Sequence, residues 1–357
     1  MNRDSATPMR ADARRRKVLG LLASAVVAGL APCAALAQSG KETITVYTAL
    51  EKEQLVPYKA AFEKAHPNVE IAWLRDSPGI VLARLLAEKD NPRADVVWGV
   101  PLMHLVSLDK LGMLEAYAPK DYNKLKPRFR DTANPPAWTG MDTWMSLICF
   151  NTVEAKKRNI PAPESWADLA KPIYKGQITM PNPASSHTGY MAVNHWKQAM
   201  GDKAWSFMDG LHANIALYTH SGSKPCKMAA TGEYVIGIST DITSPQLKAK
   251  GAPIDIILPS DKTGWDIEAT AIIKGTKKLK AAQALADFSV TKAANDQYNK
   301  FMAIVAYPGE FATPKAYPPG AEAAMADQNL VASALDREAV TAEWVKRYDG
   351  KSEPKSD

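Results

Sequence analysis

Glu42-Thr43-Ile44-Thr45-Val46-Tyr47-Thr48-Ala49-Leu50-Glu51 is the stretch that decides the fold. Its first seven residues alternate, with Ile44, Val46 and Tyr47 apolar, and predict a strand. From Gln54 to His66 the apolar spacing becomes helical, and Pro67-Asn68 ends it. Working outward, Val69 to Leu74 reads as a second strand. Asp76-Ser77-Pro78-Gly79 then opens a helix over Ile80 to Lys89, with Ser77 as N-cap and Pro78 at the first helical position. Ala94 to Val100 reads as a third strand and Leu102 to Leu111 as a further helix. Strands alternating with helices predict an α/β fold, its sheet mostly parallel and covered on both faces. Ligands of such sheets bind beyond the carboxyl ends of the strands. Here those ends are Thr48 to Glu51, Asp76 to Gly79 and Trp98 to Pro101.

Residues 112–140 are rich in Pro and aromatics and read as irregular, and Met145 to Phe150 as a strand. A second series follows: strand 177–180, helices 190–200 and 202–211, strand 215–218, helix 224–231, strand 234–239. The pattern returns to the first unit near Ile254 to Leu258 and Ala269 to Ile273. Lys278 to Thr291 reads as a helix, as does the stretch to Arg347 with Ser333 as N-cap.

Three strand ends in the second series are rich in hydroxyls. One carries Ser185, Ser186, Thr188 and Gly189. Another carries Ser221, Gly222 and Ser223 with Lys224. The third carries Ser239, Thr240 and Asp241. Free N–H groups and the dipole at a helix start favour an oxyanion. A single hydroxyl there is explained by capping. Three such loops converging at strand ends read better as an anion receptor, with His187 and His220 lining it. A cationic ligand group would find Glu51, Asp76, Asp241, Asp266 or Glu268, each of which also reads as a surface carboxylate. Trp98 and Trp265 read as walls for an ammonium or as core.

The 357 residues, 46% apolar and 23% charged, suit a globular protein of two units. Arg14-Arg15-Arg16-Lys17, the apolar run Val18 to Leu30 and Ala35-Leu36-Ala37 read as a signal peptide over 1–37, by general or twin-arginine export. That segment holds six basic and two acidic residues, so the net charge falls from +6 to +2 beyond it, which gives no case for nucleic acid. Cys149 and Cys226 then remain. In an oxidising compartment they favour one disulfide over two buried thiols.

Enzyme motifs are missing. There is no H-E-x-x-H, no G-K-[ST] phosphate loop and no metal spacing among the six histidines. Gly237-Ile238-Ser239-Thr240-Asp241 lacks the last glycine of a nucleophile elbow. No cofactor is expected.

On these residues the chain resembles the periplasmic substrate-binding proteins of ABC importers, and among them the 2-aminoethylphosphonate-binding type. The resemblance rests on Val46 to Glu51, Leu85 to Pro92, Ala94 to Gly99, Ile148 to Thr152, Met180 to Ser186, Thr219 to Met228 and Gly264 to Thr270. It implies a type II two-lobe fold with a hinge of crossing strands near 144–150 and 258–268. Lobe 1 would hold 38–143 and about 259–290. Lobe 2 would hold 144–258, with helices of about 291–348 joined to it or packed across both, and 349–357 would be a polar tail. It further implies a non-catalytic periplasmic receptor, a monomer, that delivers its ligand to an inner-membrane permease. Thr48, Ser77, Gly79, Ser185, Ser186, Thr188, Gly189, Ser221 to Ser223, Ser239, Asp241, Glu51 and Trp265 would bind the ligand. No tyrosine pair stands at Ser239 and Asp241, where related iron-binding proteins place theirs, which argues against ferric iron. Another small anion or a polyamine, or a secreted phosphonate or phosphoester hydrolase, are the alternatives.

Overall fold

In the first unit the alternation holds from end to end. In this computed structural model, which describes residues 40–354, β1 (Glu42–Thr48) leads to α1 (Lys52–Ala65), β2 (Val69–Arg75), α2 (Pro78–Ala87), β3 (Val96–Pro101) and α3 (Leu102–Lys110). β1 pairs in parallel with both β2 and β3. All of β3 is buried, as a strand with helices over both faces must be. Residues 1–37, read as an export signal, lie outside the described residues.

The chain continues through β4 (Leu114–Glu115), β5 (Thr139–Asn151), α4 (Thr152–Arg158), β6 (Ile178–Pro181), α5 (His187–Met200), α6 (Ala204–Asn214), β7 (Ile215–Thr219) and α7 (Lys224–Thr231). It ends with β8 (Ile236–Thr240), α8 (Ser244–Ala249), β9 (Ile254–Ile257), β10 (Trp265–Ile273), α9 (Leu279–Ser289), α10 (Lys292–Tyr298), β11 (Ile304–Val305), α11 (Ala321–Ala324) and α12 (Leu330–Tyr348). The main strand order is β2-β1-β3-β10-β5-β8-β6-β7. β6 lies parallel to β7 and β8, so two parallel sets flank an antiparallel centre.

That centre is β5, 13 residues long and buried throughout. Its first half pairs with β10, from Thr139↔Thr270 to Met145↔Trp265. Its second half pairs with β8 and β9. The strand therefore starts six residues before Met145, where the sequence reading began it. Thr139, Gly140, Asp142 and Thr143 are poor strand signals; sheet pairing on both sides overrides them. Among the cores, two of the largest lie to either side of this division. Tyr58, Phe62, Trp98 and Tyr298 pack in one, and Trp166, Trp196, Tyr218 and Trp344 in the other.

Cys149 in β5 is bonded to Cys226 in α7, 77 residues on. α12 packs on both α3 and α5. Its N-cap is Asn329, whose side chain accepts from Ala332 N at 3.0 Å. Ser333, read as the cap, sits inside the helix and takes hydrogen bonds from Asn194 and Gln198. Residues 349–354 are strapped down rather than free. Lys351 Nζ donates to His212 O and Ile215 O, Ser352 bridges to Tyr218, and Glu353 accepts from His220 N and pairs with Lys224. Among the described residues no helix is long and apolar enough to cross a membrane.

Candidate ligand-binding site

Three helix starts meet around one cavity. Ser77 and Pro78 come from α2, Ser186 and Thr188 from α5, and Ser221 and Gly222 from the turn before α7. Ser77, Ser186 and Ser223 hold the N-cap positions of these helices, yet none makes a side-chain capping bond. Their hydroxyls are therefore not spent on capping. Ser186 Oγ is fully buried and has no partner among the described residues. The loops touch closely. Gly79 N donates to Ser185 O at 3.1 Å, which joins α2 to the loop before α5. A Cβ on Gly222 would run into Thr188 Oγ1 and lie 2.9 Å from Ser186 Oγ. Glycine at 222 thus lets the backbone approach the hydroxyls.

The rest of the lining is charged and aromatic. Arg75 ends β2; its Nε donates to Leu50 O at 3.0 Å, and its Nη2 lies 3.4 Å from Glu51 Oε2. Lys227 stands 4.0 Å from the same carboxylate. Trp144 of β5 and Glu268 of β10 line the cavity with Thr240, Ile242 and Pro101. Trp144 Nε1 and Glu268 Oε2 are buried without partners among the described residues. Unpaired buried polar atoms are costly, so a hydroxyl, an indole N–H and a carboxyl oxygen facing one cavity point to a polar ligand. The cavity is about 30 Å³, room for about one or two water molecules. A larger ligand needs the loops that line this cavity to part.

Glu268 lies opposite Asp142 in the β10–β5 ladder. Burial pushes both carboxyls well above the usual range, helped by repulsion from Glu268 on Asp142 and from Asp241, Glu51 and Asp266 on Glu268. Asp241 is pushed up to about 6 by burial.

Several expected ligand contacts belong instead to the scaffold. Thr48 Oγ1 donates to Trp98 O at 2.6 Å and accepts from Leu50 N. Ser185 Oγ donates to His220 O at 3.2 Å, and Ser239 Oγ to Gly222 O at 2.7 Å, so both hold loops in place. Ser223 Oγ is 3.1 Å from Ser221 Oγ. Gly189 is needed for packing, since a Cβ there would strike Pro181 O. The Asp241 carboxylate accepts from Met145 N at 2.9 Å and from Tyr317. Trp98 is core, with Nε1 donating to Tyr298 Oη at 3.0 Å. Trp265 lines a separate groove with Gln328 and Asn329. His187 turns away from the anion loop to Asp266 at 2.7 Å and His104 at 3.2 Å, and burial lowers both imidazoles toward the neutral form. His220 Nε2 contacts Pro354 O.

Arg75, Trp144 and Asp142 were missed. Arg75 gave the clearest signal, a basic residue at a strand end directly before Asp76-Ser77. Among the described residues no group of three or more His, Cys, Asp or Glu could hold a metal.

The profile of the bacterial extracellular solute-binding protein family matches residues 103–333. The chain belongs to that family. As a solute-binding protein it is a receptor rather than an enzyme. An uncharacterized protein of Haemophilus influenzae is 31% identical over 229 residues, 63% of this chain and 66% of that one. A probable ABC transporter periplasmic-binding protein of Sinorhizobium fredii is 27% identical, with 69% of each chain covered. The chain thus spans about two thirds of the length of these relatives. Among solved structures, the periplasmic binding protein AfuA of Actinobacillus pleuropneumoniae, with fructose-6-phosphate bound, superposes with a TM-score of 0.81 at 27% identity. It covers 87% of this chain and 99% of its own. The fold is that of type II periplasmic binding proteins.

Proposed function

We propose that this solute-binding protein captures a small zwitterion bearing a phosphonate and an ammonium, 2-aminoethylphosphonate in the first instance, in the periplasm. It then delivers the ligand to the membrane permease of an ABC importer. One observation carries the reading: unspent helix-start hydroxyls and Arg75 share a single cavity with Glu51 and Glu268. Hydroxyls, free N–H groups and a guanidinium suit a tetrahedral oxyanion. Carboxyls beside Trp144 suit an ammonium. Closure would turn on β5, shared by both strand sets, and on the 258–264 return to β10, so that 38–143 with about 259–290 and 144–258 move as two lobes.

Calorimetry with 2-aminoethylphosphonate, ethylphosphonate, phosphate, fructose-6-phosphate, putrescine and ferric citrate tests the reading. Tight binding of 2-aminoethylphosphonate alone supports it; preference for ferric citrate or putrescine ends it. The second reading is a sugar phosphate, favoured by the fructose-6-phosphate in AfuA, and the same panel separates the two.

Two substitutions probe the two ends of the ligand. Ser186→Ala with Ser221→Ala removes two oxyanion donors and is expected to cost about 2–3 kcal/mol, roughly a hundredfold in affinity, with the fold intact. Glu268→Gln is expected to weaken 2-aminoethylphosphonate by about thirtyfold, the worth of one charged contact, and ethylphosphonate hardly at all. Equal losses for both ligands would remove Glu268 from the amine contact.

A further inference from the structure

We propose that the Asp142–Glu268 carboxyl pair stores a proton that a cationic ligand group displaces, so that capture of an ammonium releases a proton to solvent. This rests on the zwitterion reading above and adds a pH-linked selectivity to it.

The geometry leaves the pair few other uses. Glu268 and Asp142 face each other across an antiparallel ladder, 4% and 0% exposed. Both Asp142 oxygens and Glu268 Oε2 have no hydrogen-bond donor among the described residues. The register of β10 against β5 shifts just after Glu268, and such bulges re-aim a side chain. Here Glu268 ends in the cavity with Asp142 behind it. The groups around the pair are acidic or neutral. Glu51, Asp241 and Asp266 are carboxyls, and Tyr58, Tyr298 and Tyr317 are phenols. Arg75, the cation that lines the cavity, is engaged by Glu51 and Leu50 O. Two buried carboxyls in contact cannot both ionise, so one shared proton fills the gap between them. Burial raises both groups, Asp142 further by repulsion from Glu268, and Glu268 further by the surrounding Asp241, Glu51 and Asp266. An ammonium near Glu268 supplies the same positive charge, and the proton then leaves to bulk water.

The consequence is a preference that grows with pH. Below the pair's titration range a cationic ligand must displace the proton, whereas a neutral-tailed ligand need not. The affinity ratio of 2-aminoethylphosphonate to 2-hydroxyethylphosphonate should therefore rise with pH, by up to about tenfold per unit, as linkage requires. Calorimetry of wild-type protein between pH 6 and 8, in sulfonate buffers of differing ionisation enthalpy, measures that ratio and the protons released. A ratio that stays flat while both ligands bind overturns the proposal and leaves the zwitterion reading standing.

Failure of 2-aminoethylphosphonate to bind would instead strike that reading, and a ligand-free arm then decides the proton. The folded pair binds its proton more tightly than the unfolded carboxyls do. Its stabilisation is present below about pH 4, the ordinary carboxyl range, and is lost as pH rises through the raised values. Asp142→Asn removes the second acid. Its melting temperature should gain on wild type steadily from pH 6 to 9. A difference independent of pH would show that no proton is shared.

Discussion

Replacing Arg75 with alanine is expected to weaken phosphonate binding by about a thousandfold, roughly 4 kcal/mol. Two losses add. The guanidinium no longer meets the oxyanion, a charge-assisted contact worth about 1.5–3 kcal/mol. Glu51 also loses its nearer cation at 3.4 Å and keeps only Lys227 at 4.0 Å, so more of its negative charge faces the anion. Like charges in a partly enclosed site repel the ligand further. Arg75→Lys should restore part of the affinity, since it keeps a charge but not the bond to Leu50 O. Titration calorimetry gives the affinities and a thermal melt confirms the fold. Unchanged affinity in a folded Arg75→Ala protein would make Arg75 a prop for the Leu50–Glu51 turn and nothing more.

Removing the Cys149–Cys226 bond is expected to have the largest effect on stability. The bond closes a loop of 77 residues. Loop-closure entropy for that length is worth about 4 kcal/mol, and the melting temperature should fall by about 6 °C. Both ends lie close to function. Cys149 is in β5, which both strand sets share, and Cys226 is in the first turn of α7, just after Ser221 to Ser223. Melting Cys149→Ser with Cys226→Ser beside the oxidised wild type tests this. Equal melting temperatures would mean that the surrounding core of Leu147, Ala229 and Ile254 suffices without the bond.

Much of this was legible in the sequence. Alternating strands and helices gave the parallel sets, because apolar periodicity is a local signal. The hydroxyl loops stood out for the same reason, and Ser77, Ser186, Thr188, Ser221 and Gly222 do line one cavity. Which hydroxyl faces the cavity was not legible. Ser185 and Ser186 are neighbours of the same chemistry, yet one is bonded to His220 O and the other has no partner among the described residues. A one-residue rotation at a helix start decides that, and no pattern records it. Asp142 was hidden for a different reason. An acidic residue in a strand buried on every side contradicts propensity, and such contradictions tend to mark functional positions. Arg75 was read past because its strand was ended one residue early, and boundaries are the least reliable part of pattern reading.

The strapping of residues 349–354 has a practical consequence. Glu353 grips the loop at His220 and Lys224, on the very turn that presents Ser221 and Gly222 to the cavity. A dye or linker attached at residues 351–354 would sit beside the binding loops and tug on them. Handles, dyes and surface linkers for sensor work therefore belong elsewhere on this receptor, for instance on the outward face of α4 at Val153.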